Sequence, residues 1–229
     1  MNRAVDRTIL VLWLAALLAV PLSLWTAFRY APEEKVMGAV QRIFYYHVPS
    51  AIMTYVAVLV LLAASIAYLW TRRTGWDLLA RSASETALLF CSVVLITGPI
   101  WAKPAWGVWW TWEARLTTTL LLWVLLAGCL LVRHYAETRE LGARLGAILS
   151  IVAALDVPII HKAVTWWRGQ HPEVFKPGAA APLAPEMHAA FLTCLGTFLV
   201  LTGLLLLLRY RVLELEDRGE LARERLMAR

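Results

Sequence analysis

Trp106-Gly107-Val108-Trp109-Trp110-Thr111-Trp112-Glu113-Ala114-Arg115-Leu116-Thr117 stands between two long apolar runs, 78–100 and 117–133. Each run is near the length that crosses about 30 Å of hydrocarbon as a helix. The stretch between them therefore reads as a loop joining two membrane spans. Four tryptophans, Trp106, Trp109, Trp110 and Trp112, fall within seven residues, and Trp101 lies just upstream. One reading is an aromatic belt, in which indoles anchor helix ends at the headgroup level. The other is a flat indole platform for a large planar ligand, each ring carrying one polar handle. A belt needs one or two aromatics per helix end and does not call for Gly107, Glu113 and Arg115 among them.

Working outward, the whole chain has the composition that this reading requires. It holds 229 residues, 60% of them hydrophobic, with a mean hydropathy of +0.63. Soluble domains lie near 45–50% apolar. The fold class is all-α: a polytopic membrane protein of six transmembrane helices, expected near 8–28, 48–70, 78–100, 117–133, 144–165 and 189–209. The first run could be a cleavable signal peptide. It lacks a small-x-small cleavage site before Arg29 and further spans follow it, so a retained helix is expected. The six spans form one integral membrane domain over 1–229, with an outward Trp-rich loop at 101–116 and a cytoplasmic tail at 210–229.

A formal charge of +6 raises nucleic acid as a partner, but the basic residues sit at the ends of apolar runs. They are topology signals facing membrane lipid, and no nucleic acid is expected. Fourteen of the 22 Lys and Arg fall on one side of the six spans, including Arg72, Arg73, Arg133, Arg139, Arg209 and Arg211. The positive-inside rule puts that side, and both termini, in the cytoplasm. The 29–47, 101–116 and 166–188 segments then face outward. The tail alternates Arg and Glu, as a solvated helix laced with ion pairs does.

Motifs narrow the chemistry further. Cys91, Cys129 and Cys194 lie inside apolar segments without a CxxC pair, which speaks against a disulfide framework or zinc site. No CxxCH marks covalent haem attachment and no GxxxxGK[ST] marks an ATPase. Four of the five histidines gather on the outward side: His47 at the mouth of the second span, His161, His171 just past the fifth span, and His188 opening the sixth. His134 alone lies on the other side, beside Arg133. A single histidine at a membrane boundary is ordinarily a hydrogen-bonded polar residue. Four on one face around a tryptophan cluster suggest axial ligation of a haem iron, with indoles covering the ring. Zinc is the rival metal, but no HExxH or HxxxH spacing is present.

Three stretches together carry a family resemblance. Residues 106–117 resemble the tryptophan-rich motif of the haem-handling membrane proteins of cytochrome c maturation. Phe44-Tyr45-Tyr46-His47-Val48-Pro49-Ser50-Ala51 is similar to the segment around the first essential histidine of that family. Pro158-Ile159-Ile160-His161-Lys162-Ala163-Val164-Thr165-Trp166-Trp167, followed by His171, resembles the segment carrying the second. The resemblance implies haem b held non-covalently on the outer face of a bacterial cytoplasmic membrane. His47 and His171 would be its axial ligands, with His161 and His188 as rivals for the second position. Trp106, Trp109, Trp110, Trp112, Glu113 and Arg115 would complete the cofactor-binding set. It also implies transfer of the haem to a periplasmic haem chaperone, cytochrome c maturation protein E. The further partners would be the ATP-binding-cassette pair of the same system, cytochrome c maturation proteins A and B, and its small membrane component, cytochrome c maturation protein D. The family motif usually carries Asp where this chain has Glu113, which keeps the charge one methylene further out. The Leu-His-Gln run common around the second histidine is here Gln170-His171-Pro172.

On this resemblance the chain is an assembly factor rather than an enzyme. The alternative is a b-type cytochrome that exchanges electrons with quinone, which ordinarily buries haem between histidines inside spanning helices. Two carboxylates within the spans, Glu85 and Asp156, are open to two readings. Intramembrane carboxylates are functional candidates by default, and interhelical hydrogen bonding accounts for many of them.

Overall fold

Each apolar run folds as a helix that outlasts the run. The computed structural model describes residues 3–167 and 183–227. Within these, α1 spans Arg3–Trp25 and winds on through a wider π-helical turn, Thr26–Tyr30. A 3-10 turn, Ala39–Ile43, leads into α2, Phe44–Thr71; α3 is Thr74–Trp106, α4 Ala114–Tyr135, α5 Arg139–Trp167 and α6 Pro185–Met227. Six of these segments are long and apolar enough to cross a membrane, and the chain is a multi-pass membrane protein.

The helices exceed the expected spans because hydropathy registers only the part that needs hydrocarbon. Backbone hydrogen bonding continues until a residue stops it. α2 stops at Arg72, which takes the left-handed conformation with φ 56°, its N–H returning to the Tyr68 carbonyl at 2.8 Å. α3 stops at Gly107, φ 79°, whose N–H reaches the Lys103 carbonyl at 2.9 Å. Glycine takes this conformation without a Cβ penalty, and it is the usual residue past a helix end. One expectation changes as a result. The Trp-rich loop is not 101–116 but 107–113, since Trp101 to Trp106 complete α3. The tail from 210 to 227 is helical, as expected, and continues α6 without a break.

Small residues let the central helices approach closely, as is common where no hydrophobic drive separates helix from lipid. Ala57, Val58, Leu61 and Ala64 of α2 meet Ala80, Ala83, Ala87 and Cys91 of α3. Leu122 and Leu126 of α4 and Ala153 and Ile160 of α5 close the cluster. α1 lies along α6, where the Thr197 hydroxyl donates to the Ala19 carbonyl at 3.2 Å. A second cluster, Ala27, Ala31, Tyr45, Met187, Ala190, Phe191 and Cys194, ties α1, α2 and α6 together near the tryptophan-rich end.

Charges at the opposite end are paired across helices. Asp77 of α3 takes Arg133 of α4, and Glu85 of α3 takes Arg209 of α6 through two nitrogens. Arg139 of α5 meets Asp217 of α6, and Arg211 of α6 bonds both Asp6, at 3.1 Å, and Glu214, at 2.5 Å. Glu85 therefore belongs to the interhelical-bonding reading. Asp156 is 4% exposed, and its Oδ2 has no hydrogen-bond partner among the described residues.

Candidate functional site at the tryptophan-rich end

The site grows from the N-terminal part of α2, the last turns of α3, the 107–113 loop and the start of α4. His47 lies within the first turns of α2 rather than ahead of the helix. It is half-buried, and its Nδ1 lies 2.8 Å from the Thr97 hydroxyl oxygen of α3. Among the described residues no hydrogen-bond partner meets its Nε2. Gly98 adjoins the same ring: a Cβ placed there would lie 3.5 Å from His47 Cε1.

The indoles form two edge-to-face pairs rather than one flat plane. Trp101 and Trp106 stand 5.2 Å apart at 85°, and Trp110 and Trp112 stand 5.8 Å apart at 77°. Edge-to-face packing brings the positive ring edge to the negative face, which is why bare indoles prefer it to a sandwich. Trp109 and Trp112 are 58% and 76% exposed. Trp110 is half-buried, and its indole N–H is enclosed without a hydrogen-bond partner among the described residues. An enclosed donor of this kind is costly unless something else satisfies it.

Glu113 precedes α4 in extended conformation, φ −69° and ψ 157°, and the Thr117 N–H bonds its carbonyl at 3.0 Å. Arg115, half-buried in the first turn of α4, makes one long contact from Nε to the Ile160 carbonyl of α5, at 3.5 Å. No ion pair holds its guanidinium among the described residues. It lies within electrostatic reach of both His47 and Tyr55, and Tyr55 in turn of Asp156.

The remaining histidines separate. His161 on α5 and His188 in the first turn of α6 are exposed. His134 lies at the opposite end, edge-on to Tyr135 at 4.9 Å. His171, the expected second ligand, lies outside the described residues. Among the described residues no three of His, Cys, Asp and Glu gather to hold a bare metal ion. What the structure does bring together is His47, Thr97, Arg115 and Tyr55, at the end of the bundle that carries the tryptophans. Sequence reasoning missed Thr97 and Tyr55. Thr97 stands in an apolar run, in Ile96-Thr97-Gly98-Pro99, and a hydroxyl there is ordinarily taken as bonding its own helix.

These residues suit a porphyrin. The ring supplies four nitrogens itself and asks the protein only for axial imidazole, apolar surface and a cation at its propionates. Among the described residues, a half-buried imidazole with one nitrogen unengaged, exposed indoles, an enclosed indole N–H without a partner and a guanidinium without an ion pair meet those needs.

The profile of the family described as Heme exporter protein C matches residues 1–225. The chain is 32% identical over 225 residues to Heme exporter protein C of Escherichia coli strain K12, covering 95% of this chain and 89% of that one. It is 35% identical over 189 residues to the protein of the same name from Haemophilus influenzae, covering 80% and 75%. Against the Heme exporter protein C of Paracoccus denitrificans it is 33% identical over 205 residues, covering 86% and 80%. A match along nearly the whole length, by a profile and by several relatives, settles the family: this chain belongs to the Heme exporter protein C family.

Proposed function

We propose that this protein handles haem for c-type cytochrome biogenesis, holding it non-covalently at the tryptophan-rich end and giving it up to a partner. His47 and His171 are the axial ligands. Trp106, Trp109, Trp110 and Trp112 border the ring, Arg115 faces a propionate, and Glu113 sets the start of α4 beside it. The membrane is the bacterial inner membrane, with this end turned to the periplasm, where a haem chaperone receives the cargo. The membrane partners are the ATP-binding-cassette pair and the small membrane component of the same maturation system.

The observation that carries the reading is the pairing of a half-buried His47, bound through Nδ1 alone, with exposed indole surface at the same end. An imidazole held through one nitrogen offers the other as a ligand. Exposed aromatic surface rimmed by polar groups is the composition of a docking face, and it leaves a bound ring edge within a partner's reach. A resident electron-transfer haem would instead be enclosed between two helical histidines. Among the described residues no second histidine is buried in the helical bundle.

Absorption spectra of the purified, haem-loaded protein test the ligand pair. His47→Ala and His171→Ala should each lower haem occupancy or convert a six-coordinate spectrum to a five-coordinate one. Full occupancy with unchanged spectra in both variants rules the pair out, and a matching loss in His161→Ala or His188→Ala moves the assignment. Transfer is tested by mixing loaded protein with purified chaperone. Haem should appear on the chaperone, and Trp110→Ala should slow its appearance more than it lowers initial loading. Haem that stays bound while the protein reduces quinone makes this a b-type cytochrome instead.

A further inference from the structure

The Thr97 hydroxyl has two close neighbours and one hydrogen. Its oxygen lies 2.7 Å from the Val93 carbonyl oxygen and 2.8 Å from His47 Nδ1. Two oxygens at 2.7 Å need a hydrogen between them, and a carbonyl has none to give. The hydroxyl hydrogen is therefore spent within α3, on Val93. The contact with the imidazole still needs a hydrogen, and only Nδ1 can bring it. The arrangement selects the Nδ1–H form of the ring. In the neutral imidazole the lone pair then sits on Nε2.

We propose that Thr97 is the positioning residue of His47: its hydroxyl oxygen, locked to the Val93 carbonyl, accepts the Nδ1–H and leaves Nε2 as the nitrogen offered to haem iron. The proposal rests on the reading of His47 as an axial ligand and says how that ligand is made ready. A ring free to exchange tautomers spends part of its time with a proton on Nε2, where it cannot ligate. A ring free to turn about its side-chain bonds also has to be ordered by the haem as it binds. The bond to Thr97 removes both costs. A hydrogen bond to the far nitrogen also raises the electron-donating power of the ligating one. Thr97 suits this task because its hydroxyl is already fixed: the two anchoring atoms belong to α3, so imidazole orientation follows the packing of α2 on α3. Gly98 adjoins the same ring, and a Cβ there would meet Cε1 at 3.5 Å, in ordinary van der Waals contact.

The haem-free protein, with its histidine rings labelled with nitrogen-15, gives a readout independent of loading. In the wild type, His47 should show Nδ1 as the protonated nitrogen and Nε2 as the bare one. Thr97→Val keeps the branched shape and removes the hydroxyl, so His47 should move to a mixture or to the Nε2–H form. Thr97→Ser restores the oxygen and should return the wild-type pattern. Loaded with haem, Thr97→Val should bind it about 10-fold to 100-fold more weakly, the usual effect of losing a ligand's outer partner. Its reduction midpoint should shift, and Thr97→Ser should stay close to wild type on both counts. An unchanged Nδ1–H signal in a folded Thr97→Val overturns the proposal. So does a changed tautomer with unchanged haem affinity and midpoint, in a protein where His47→Ala abolishes binding. Failure of the ligand reading itself looks different: His47→Ala then keeps its haem, while the tautomer still answers to Thr97.

Discussion

The two ends of the helical bundle handle their polar groups in opposite ways. At the arginine-rich end, charges from different helices neutralise one another: Asp77 with Arg133, Glu85 with Arg209, Arg139 with Asp217, Arg211 with Asp6. At the tryptophan-rich end, groups of the same chemical strength are left over. Arg115 has one long backbone contact, the Trp110 N–H has no partner among the described residues, and His47 uses one ring nitrogen. Buried polar groups are ordinarily satisfied within the fold. An end that satisfies them holds helices together, and an end that does not is shaped for something that arrives. Arg133 is a partial exception at the structural end. Its Nε and Nη2 are buried without partners among the described residues, although its Nη1 is bonded to Asp77.

The largest effect should come from breaking that pair. Arg133 and Asp77 side chains are 7% and 11% exposed. Arg133→Ala strands a buried carboxylate, a change that costs about 3–5 kcal/mol. Thermal or denaturant unfolding in detergent should show it. The haem spectrum of the protein that remains folded should match wild type, and a changed spectrum would mean the two ends are not separate in role. Gly146→Ala tests the same contact from α5, with a smaller effect. A Cβ at Gly146 would sit 2.5 Å from Arg133 Nε. The guanidinium is anchored on Asp77 and cannot swing clear, so overpacking should cost about 1–3 kcal/mol. Stability equal to wild type would show that Arg133 has another seat.

Much of this division was legible in the sequence, and what was hidden was hidden for physical reasons. Six spans follow from hydropathy, because the need for hydrocarbon is local and additive along the chain. Helix ends do not follow from it, since hydrogen bonding carried α3 through Pro99 and Pro104 to Gly107. The tryptophan cluster and His47 stand out as residue types, so the site could be placed at one end. Their partners could not. Thr97 is 50 residues from His47, and Arg209 is 124 from Glu85. Only the stacking of α2 on α3, and of α6 on α3, decides those pairs. The relative tilt of the indoles was not legible either, because the edge-to-face angles of Trp101 on Trp106 and Trp110 on Trp112 are set by packing and not by spacing along the chain. Asp156 was singled out by its depth in the apolar run, and the fold buries it with no partner for Oδ2 among the described residues.

Arg115 sharpens the contrast at the open end. Its guanidinium fork matches a propionate through two parallel bonds, which the lysine ammonium cannot reproduce. Arg115→Lys should keep the fold and weaken haem retention by about tenfold, near the lower value for a bond to a charged group. Arg115→Ala should weaken it further. Retention equal to wild type in both variants would remove the propionate contact and leave Arg115 as a helix-end cation facing headgroups.

The smallest effect belongs to a residue at the tryptophan-rich end that is nevertheless satisfied. Glu34 closes the connection between α1 and α2: its Oε2 accepts the Met37 N–H at 2.5 Å and the Val36 N–H at 2.8 Å. These two bonds, Met37 first, hold its carboxyl below the ordinary glutamate value. The sign follows from the lowered value. The charged carboxylate contributes fully above the ordinary value, and its contribution is lost as pH falls through the lower one. The Met37 and Val36 amide resonances should therefore keep their hydrogen-bonded positions into mildly acidic solution. They should move only below the usual carboxylate range. Glu34→Gln should abolish that titration, shift both amides at neutral pH, and leave haem retention at the wild-type level. A turn whose own backbone fills its carboxylate has nothing left to offer a ligand. If Glu34→Gln released haem as readily as Arg115→Ala, an internally satisfied group would be acting in binding, and satisfaction within the fold would no longer separate the groups that hold the bundle from the groups that hold its cargo.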